Sequence, residues 1–342
     1  MKLTGQVAVV TGAGRGIGRA IAEAQAKEGA NVALLARTAA EIEAVAAAVA
    51  AEGGAAHAYP TDIVDRDAVE TVFAAIERDL GPVSLLTNNA GSFTAFGPMW
   101  TVDPEAWWRD IEINLRGTFN CCRAALPRML ARRRGRVINM VGGGTGNSFP
   151  HGSGYATSKA GLLRLTECVS DTLADSGVLV FAMDPGLVRT AMTELQLTSD
   201  DGRRYLTDIP RLFDEGVNVS PTLAGRLSIE IGAGRFDELR GRMLMAARGD
   251  LDLDEAAIDA IVAADFRSLR VNGMPQERQQ MTDQSTVPAS RQSEFSGRGG
   301  GALAICWVAR RKGSHRAAIK YASGRPRRRP LPQSTRPSNG AP

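Results

Sequence analysis

Tyr155 and Lys159 are the two residues whose types and spacing most directly suggest chemistry. They stand in the segment "YATSK", four positions apart. Residues at i and i+4 lie on one face of a helix, so their side chains are neighbours if this segment is helical. A free phenol has a pKa near ~10, and a nearby ammonium favours the phenolate and lowers that pKa. The pair therefore indicates proton transfer by Tyr155.

A glycine-rich stretch, "TGAGRGIG" from Thr11 to Gly18, forms a second candidate site. It follows the apolar run "VAVVTG" and precedes a helical pattern. Because glycine has no side chain, the backbone there can approach a pyrophosphate closely, and the helix N-terminus stabilises the negative charge of the pyrophosphate. Such a stretch is also compatible with a tight turn alone, so nucleotide binding needs support from the rest of the chain.

The elements around these residues alternate between strand and helix from residue 6 to residue 184. Each strand pattern is an almost continuous apolar run, as expected where both faces of a sheet are covered. Regular alternation predicts an α/β fold with a doubly wound parallel sheet, that is, a Rossmann fold. Such sheets bind ligands at the carboxyl ends of their strands. The predicted strands are "VAVVTG", "NVALLAR", "AAHAYPTD", "VSLLTNNAG", "GRVINMVG" and "GVLVFAMDPG", with "GRMLMAA" as a possible last strand.

Charge divides the chain into two regions. Residues 276–342 carry 13 Lys and Arg against 3 Asp and Glu, whereas the whole chain carries 41 against 37, which leaves 28 against 34 for residues 1–275. The C-terminal region is rich in Arg, Pro, Ser and Gly and offers little apolar sequence to offset the entropy of ordering. We predict a single nucleotide-binding domain over residues 1–249, a helical C-terminal extension over 250–275 and a basic, disordered tail over 276–342.

Several function classes are disfavoured by composition. The N-terminus lacks the apolar segment of a signal peptide, and no run approaches the roughly 18 apolar residues of a membrane span. The four cysteines follow no metal-ligand spacing. We expect a cytoplasmic protein without a metal or a membrane partner. The tail arginines suit non-specific phosphate contacts, but no recognised nucleic-acid fold accompanies them, so no specific nucleic-acid partner is expected.

Four further segments resemble the short-chain dehydrogenase/reductase family in order and spacing. They are "NNAG" at 88–91, "INLRGTF" at 113–119, "YATSK" at 155–159 and "DPGLVRT" at 184–190. The resemblance covers roughly residues 3–245. It implies that Tyr155 exchanges a proton with a carbonyl or alcohol, that Lys159 also binds the ribose hydroxyls, and that Asn114 holds a water in a relay to solvent. Family members often pair through the helices predicted here at 104–132 and 154–175, which implies a homodimer or homotetramer.

Cofactor choice is indicated at the end of the second strand, "LLART". Enzymes of this fold that use NAD often place an acid there, whereas the 2'-phosphate of NADP calls for a cation. Here Ala36 takes the place of the acid and Arg37 follows it, so NADP(H) is favoured over NAD(H). The alternative interpretation is that Arg37 and Arg15 are both solvated surface residues. The expected cofactor-binding residues, several of them implied by the resemblance, are Gly12, Gly14, Arg15, Gly16, Ile17, Gly18, Arg37, Asp62, Ile63, Asn89, Ala90, Gly91, Tyr155, Lys159, Pro185, Gly186, Val188 and Thr190.

One position departs from the family pattern. Family members carry a serine thirteen residues before the tyrosine, where its hydroxyl polarises the substrate carbonyl, and here that position is Gly142. Between Asn139 and Tyr155 the only hydroxyls belong to Thr145, Ser148 and Ser153. Ser148 is the favoured substitute, because the loop after the strand can fold it back over the site. Loss of one such donor costs on the order of 3 kcal/mol in the transition state, which weakens an enzyme without abolishing its mechanism.

The sequence therefore predicts an NADP(H)-dependent oxidoreductase acting on a carbonyl or secondary alcohol. The alternative is a catalytically weak or inactive NADP-binding protein with a regulatory role. Retention of Asn114, Tyr155 and Lys159 together favours the enzyme, because a protein that only binds nucleotide has no need of Tyr155. Apolar residues suggest an apolar substrate pocket without identifying the substrate: Phe93, Phe96, Met99, Trp100 and the loop after Thr190.

Overall fold

Seven parallel strands form the centre of the fold in a computed structural model, which describes residues 1–270. The predicted basic tail, residues 276–342, lies outside the described residues. The strands follow the order β3-β2-β1-β4-β5-β6-β7 across the sheet, and every neighbouring pair is parallel. They are β1 (Val7–Thr11), β2 (Asn31–Ala36), β3 (Ala55–Pro60), β4 (Val83–Asn88), β5 (Gly135–Met140), β6 (Val178–Asp184) and β7 (Met243–Met245). This arrangement confirms the predicted Rossmann fold.

Helices connect the strands and cover both faces of the sheet. The helix predicted over 104–132 is two α-helices joined by one π-helical turn, Glu112–Arg116. The polar region 189–219 contains three short helices. The α-helices are α1 (Gly16–Lys27), α2 (Ala39–Ala51), α3 (Arg66–Leu80), α4 (Pro104–Ile111), α5 (Gly117–Ala131), α6 (Ser153–Thr172), α7 (Ala191–Thr198), α8 (Asp200–Tyr205), α9 (Asp208–Asp214), α10 (Thr222–Gly232) and α11 (Glu255–Ala263).

The first strand shows why its sequence is apolar throughout. Successive side chains of a strand point to opposite faces, and here both faces are buried. Ala8 and Val10 pack into the core that contains Ile21 of α1. Val9 packs into the opposite core with Phe73 of α3. A strand buried on both faces has no polar side, so the run "VAVV" is what the doubly wound sheet requires.

The strand order reverses beside β1, which lies between β2 and β4. The carboxyl ends of β1 and β4 are therefore adjacent, and ligands bind at such reversal points in open α/β sheets. Side chains join the two ends directly. The Thr11 hydroxyl accepts hydrogen bonds from the backbone N–H groups of Asn89 and Ala90, each at 3.0 Å. The fold thus holds the glycine-rich stretch against the segment "NNAG".

Residues 250–270 pack against the rest of the described chain. Asp250 is fully buried, accepts a hydrogen bond from the Met245 backbone N–H at 2.7 Å, and pairs with Arg267. Ile258 and Ile261 of α11 belong to the same core as β1 and α1. The predicted boundaries at residues 249 and 275 stay predictions. Among residues 1–270, no helix combines the length and apolarity needed to cross a membrane.

Candidate functional site

The glycine-rich loop between β1 and α1 adopts a backbone that depends on glycine. Gly12 has φ +64°, in the left-handed region that side chains rarely adopt. A Cβ at Gly18 would lie 2.3 Å from the Gly12 carbonyl oxygen and 2.4 Å from Asn89 Nδ2. The loop therefore folds tightly against the helix, and Gly16 at its end is exposed. This cradle fits the pyrophosphate of a dinucleotide at the N-terminus of α1.

The far side of this cradle is formed by the segment after β6. A Cβ at Gly16 would lie 3.3 Å from Thr190 Cγ2, so the glycine loop and Thr190 are neighbours. Thr190 caps α7, and Val188 is buried. The Asp184 carboxylate accepts a hydrogen bond from the Gly186 N–H at 2.9 Å, which orders the turn after β6. The structure thus brings two of the predicted cofactor segments, 12–18 and 185–190, together.

Arg37 lies at the end of β2 and is exposed. Among residues 1–270 it has no ion-pair partner within 4.0 Å. Arg15, the other predicted phosphate ligand, lies 3.7 Å from Glu41 of α2. Glu41 also borders Gly14, since a Cβ there would lie 2.7 Å from Glu41 Cβ. Sequence reasoning missed this carboxylate at the loop, although it follows Arg37 by only four positions.

Asp62 and Ile63 follow β3. The Asp62 carboxylate accepts a hydrogen bond from the Val64 N–H at 3.0 Å and lies 3.7 Å from the Arg109 guanidinium of α4. Ile63 packs on α5, where a Cβ at Gly117 would lie 2.4 Å from Ile63 Cδ1. Gly117 therefore allows the loop after β3 to approach the helix, which fixes both residues at the sheet edge predicted to bind adenine.

Tyr155 lies on α6 and is half-buried. Its ring stacks on Phe93 with centroids 4.5 Å apart and planes at 18°. Burial, together with the nearby carboxylates of Asp184 and Asp110, raises the pKa of Tyr155 above its usual value. The lowering expected from Lys159 is therefore not seen in this structure. Desolvation, the largest of these effects, disfavours the phenolate.

Lys159 is buried one turn later on the same helix. Its Nζ donates a hydrogen bond to the Met140 carbonyl at 2.8 Å and lies 5.6 Å from the centroid of the Tyr155 ring. Burial lowers the pKa of Lys159 to about 8, against the opposing effect of Asp184. The amine also borders Gly91, where a Cβ would lie 3.7 Å from Nζ. Lys159 thus connects Tyr155 with the segment "NNAG".

Asn114 is fully buried inside the π-helical turn. Its Oδ1 accepts a hydrogen bond from the Ser92 N–H at 2.7 Å, and its Nδ2 donates to the Ser92 carbonyl at 2.8 Å and to Ser158 Oγ at 2.9 Å. Asn114 therefore joins the loop after β4 to α6, next to the Tyr155 and Lys159 pair. The role of Asn114 in a water relay stays a prediction, because these contacts are all with protein groups.

Asp110, one turn before Asn114, is a residue that sequence reasoning missed. Its carboxylate is fully buried and accepts hydrogen bonds from Ser92, Thr94 and Ala95. The signal available in the sequence was an aspartate four residues before Asn114, with the apolar residues Trp107 and Ile111 near it in the same helix. Helical spacing alone left it indistinguishable from a solvated charge, because its partners lie about 15 residues earlier in the chain.

Gly142 lies at the end of β5 and faces the phenol. A Cβ at this position would lie 2.9 Å from Tyr155 Oη. The hydroxyl of Thr145, which is buried, donates to the Gly142 carbonyl at 2.6 Å and accepts from the Gly142 N–H at 3.1 Å. Ser148 is exposed, and Ser153 Oγ accepts a hydrogen bond from Trp107 Nε1 at 3.0 Å. Ser148, the hydroxyl that the sequence favoured, is therefore exposed, and Thr145 is the one of the three that is bonded to Gly142.

An apolar cluster covers Tyr155. It brings together the loop after β4, the loop after β5 and helices α7–α9. Its rings include Phe93, Phe96 and Phe149, with Phe93 and Phe149 centroids 5.6 Å apart. Met99 and Trp100, which the sequence grouped with these residues, are exposed instead. The cluster consists of Phe93, Phe96, Leu206 and Ile209, packed with Phe149, Tyr155, Met192, Leu197 and Phe213.

Comparison with known proteins gives consistent similarities. The family model described as short chain dehydrogenase matches residues 6–200. A short chain dehydrogenase of Pseudocercospora fijiensis is 36% identical over 193 residues, which are 56% of this chain and 62% of that protein. This chain therefore spans less than two thirds of that relative.

Two further proteins are covered over most of their length. The 3-oxoacyl-[acyl-carrier-protein] reductase FabG of Staphylococcus aureus is 36% identical over 228 residues, 66% of this chain and 91% of that protein. The crystal structure of a metagenomic short-chain oxidoreductase in complex with NADP is 30% identical, with a TM-score of 0.57. That match covers 68% of this chain and 93% of the other.

Proposed function

The chain belongs to the short-chain dehydrogenase/reductase family, and from that premise we propose that it is an NADP(H)-dependent oxidoreductase acting on a carbonyl or secondary alcohol. The observation that carries the proposal is the arrangement of Tyr155, Lys159 and Asn114 next to the segment "NNAG", which is itself hydrogen-bonded to the start of the glycine loop. All three lie at the carboxyl edge of the sheet, where this fold binds its ligands. A protein that only bound nucleotide would not need a phenol held at this edge.

In the proposed reaction Tyr155 supplies the proton. When bound, NADPH supplies the hydride that reduces the carbonyl carbon to an alcohol. Tyr155 holds its proton firmly, because burial raises the pKa of the phenol, and it donates from Oη to the substrate oxygen as negative charge develops there. The Lys159 amine, with a pKa of about 8, carries a positive charge at neutral pH that stabilises the phenolate left behind. Asn114 holds the loop after β4 against α6.

NADP rather than NAD is part of the proposal. Arg37 is exposed and unpaired within residues 1–270, so its guanidinium is available for a 2'-phosphate without breaking a strong contact. Ala36 offers no carboxylate that would repel the phosphate. The relative solved in complex with NADP supports this choice. Glu41 beside Arg15 opposes it, because its carboxylate would repel a nearby phosphate.

The proposed substrate has an apolar body. Tyr155 packs in the cluster of Phe93, Phe149 and the α7–α9 side chains. Such a surface binds the apolar part of a substrate more favourably than a charged group. The carbonyl would reach Tyr155 while the rest of the molecule contacts the aromatic rings. The predicted cytoplasmic location and the homodimer or homotetramer stay predictions.

The test is oxidation of NADPH by the purified protein against a panel of aliphatic, aromatic and polycyclic ketones. We expect slow but measurable turnover with apolar ketones. Tyr155→Phe should remove nearly all turnover while leaving the Kd for NADPH unchanged, since only the proton donor is lost. If wild type and Tyr155→Phe are equally inactive across the panel and both bind NADPH tightly, the nucleotide-binding alternative replaces the enzyme.

A further inference from the structure

Four consecutive residues after "NNAG", Ser92 to Ala95, form a loop that we call the 92–95 loop. Asp110 accepts hydrogen bonds from three of them. Oδ1 accepts from Ser92 Oγ at 2.6 Å and from Thr94 Oγ1 at 3.0 Å, and Oδ2 accepts from the N–H groups of Thr94 at 2.9 Å and Ala95 at 3.1 Å. Both carboxylate oxygens are therefore fully engaged by this one loop.

The carboxylate is also completely removed from solvent. A buried carboxylate is costly unless it is paired or hydrogen-bonded, and removal of its acceptors would leave several buried donors unsatisfied. Its partners are two backbone N–H groups and two hydroxyls, with no cation among them. The arrangement therefore stabilises this backbone conformation of the loop, because a rearranged loop would have to break these four hydrogen bonds.

The residue inside the loop that makes no bond to Asp110 is Phe93. Its ring is buried and stacks on Tyr155, with a T-shaped contact to Phe96 at 4.8 Å on its other side. Asp110 binds the residues immediately before and after Phe93. A fixed backbone on both sides fixes where the Phe93 ring lies, and the stacked ring limits how far the phenol of Tyr155 can turn.

We propose that Asp110 is a positioning residue for the proposed reaction: by bonding the 92–95 loop it fixes Phe93, and Phe93 holds the Tyr155 ring in its reactive orientation. This proposal rests on the proposed function, in which Tyr155 donates the proton. Orientation matters because small displacements of a reacting group reduce rates strongly. Asp110 has a second effect through space, since its negative charge also favours the neutral phenol.

The main test is Asp110→Asn, which keeps the shape of the side chain and loses an acceptor and the charge. We expect kcat to fall at least tenfold at neutral pH, with the KM for NADPH within twofold of wild type. The titration midpoint of Tyr155 should move to lower pH, because a neighbouring negative charge is removed. The midpoint is read from phenolate absorbance as the difference between each protein and its Tyr155→Phe counterpart, which requires no turnover.

Two controls separate orientation, charge and stability. Phe93→Leu removes the stacked ring and keeps the Asp110 carboxylate, so a fall in kcat there comes from lost orientation and not from loss of the charge. Asp254→Ala removes the N-cap of α11, which accepts from the Ala257 N–H at 2.8 Å, and has no contact with the loop. It should lower thermal stability without changing kcat or the midpoint.

Failure of the Asp110 proposal and failure of the proposed function give different results. If no carbonyl is turned over by wild type, the proposed function fails, and the midpoint measurement still tests the contact between Asp110 and Tyr155. Unchanged kcat and an unchanged midpoint in folded Asp110→Asn would overturn the proposal. If that variant does not fold, the double variant Ser92→Ala and Thr94→Val, which keeps the carboxylate and removes both hydroxyl donors, replaces it. A several-fold loss of kcat there supports the role, and wild-type kcat refutes it.

Discussion

At the residue scale, burial is the largest influence on both members of the Tyr155 and Lys159 pair. It favours the neutral form of each group, so it raises the pKa of the phenol and lowers the pKa of the amine. The two groups then differ more in proton affinity than they do in water, and the phenol becomes the one that holds its proton more tightly. A phenol that keeps its proton until an oxyanion forms beside it suits a reductase, provided that the amine is charged when the phenolate appears.

Gly142 gives the sharpest prediction at this scale. A Cβ at 142 would lie 2.9 Å from Tyr155 Oη, so both Gly142→Ser and Gly142→Ala require a small shift of the phenol, whose ring is stacked on Phe93. Only the serine adds a donor for the substrate oxygen. A donor of this kind is worth about 3 kcal/mol or a hundredfold in rate, and we expect Gly142→Ser to exceed Gly142→Ala in kcat by at least tenfold.

The comparison between the two variants cancels the shared steric effect. Gly142 does not have a positive φ, so the backbone itself accepts either side chain. The measurement is kcat for the best ketone of the panel. Equal kcat for the serine and alanine variants would mean that the missing hydroxyl does not limit the reaction and that the backbone or Thr145 already polarises the substrate.

Arg37 gives a second prediction at the residue scale. If its guanidinium binds the 2'-phosphate, Arg37→Ala should weaken NADPH binding by tenfold or more, because a charge-assisted hydrogen bond contributes about 1.5 to 3 kcal/mol. NADH has no 2'-phosphate, so its Kd should stay the same. Kd values from cofactor fluorescence check both statements. Arg78→Ala, which removes an exposed arginine paired with Asp79 on α3, is the matched control, and equal Kd values of wild type for NADPH and NADH would contradict the preference.

At the element scale, the sequence predicted the features that a local pattern encodes. Strands buried on both faces are continuous apolar runs, and a loop that needs positive φ and close backbone approach needs glycine, so β1 and the stretch from Thr11 to Gly18 were both visible. The pair Tyr155 and Lys159 was visible because i and i+4 neighbours on one helix meet whatever the tertiary structure.

Contacts between elements were not visible in the same way. Asp110 and the 92–95 loop are separated along the chain, and nothing in the helix around Asp110 distinguishes a buried carboxylate from an exposed one. The pKa of Tyr155 was misjudged for a related reason. The sequence shows that a lysine is near, but the burial that outweighs it depends on the loops after β4 and β5 and on α7–α9. Tertiary packing decides both.

At the scale of the whole molecule, residues 250–270 act as part of the fold. Asp250 and Arg267 pair inside it, Ile258 and Ile261 extend the core shared by β1 and α1, and the Leu269 N–H donates to the buried Glu167 carboxylate of α6 at 2.6 Å. The sequence predicts this stretch as part of a helical extension that follows residues 1–249. Its contacts join it to both the last strand and α6.

The last prediction compares two shortened chains. A chain that ends at Pro275 keeps every contact described above, so its Tm and its Kd for NADPH should match those of the full chain, as expected if the basic tail contributes no core. A chain that ends at Gly249 exposes the core that Ile258 and Ile261 cover, and burial of each such side chain contributes about 1.5 to 3 kcal/mol. It also loses two partners of Glu167, the Leu269 N–H and Arg270, so it should unfold at a markedly lower temperature or fail to accumulate as folded protein. Calorimetry of the three chains at equal concentration measures the difference. A large drop in Tm already at Pro275 would show that the tail stabilises the domain, and an unchanged Tm at Gly249 would show that residues 250–270 are dispensable for the fold.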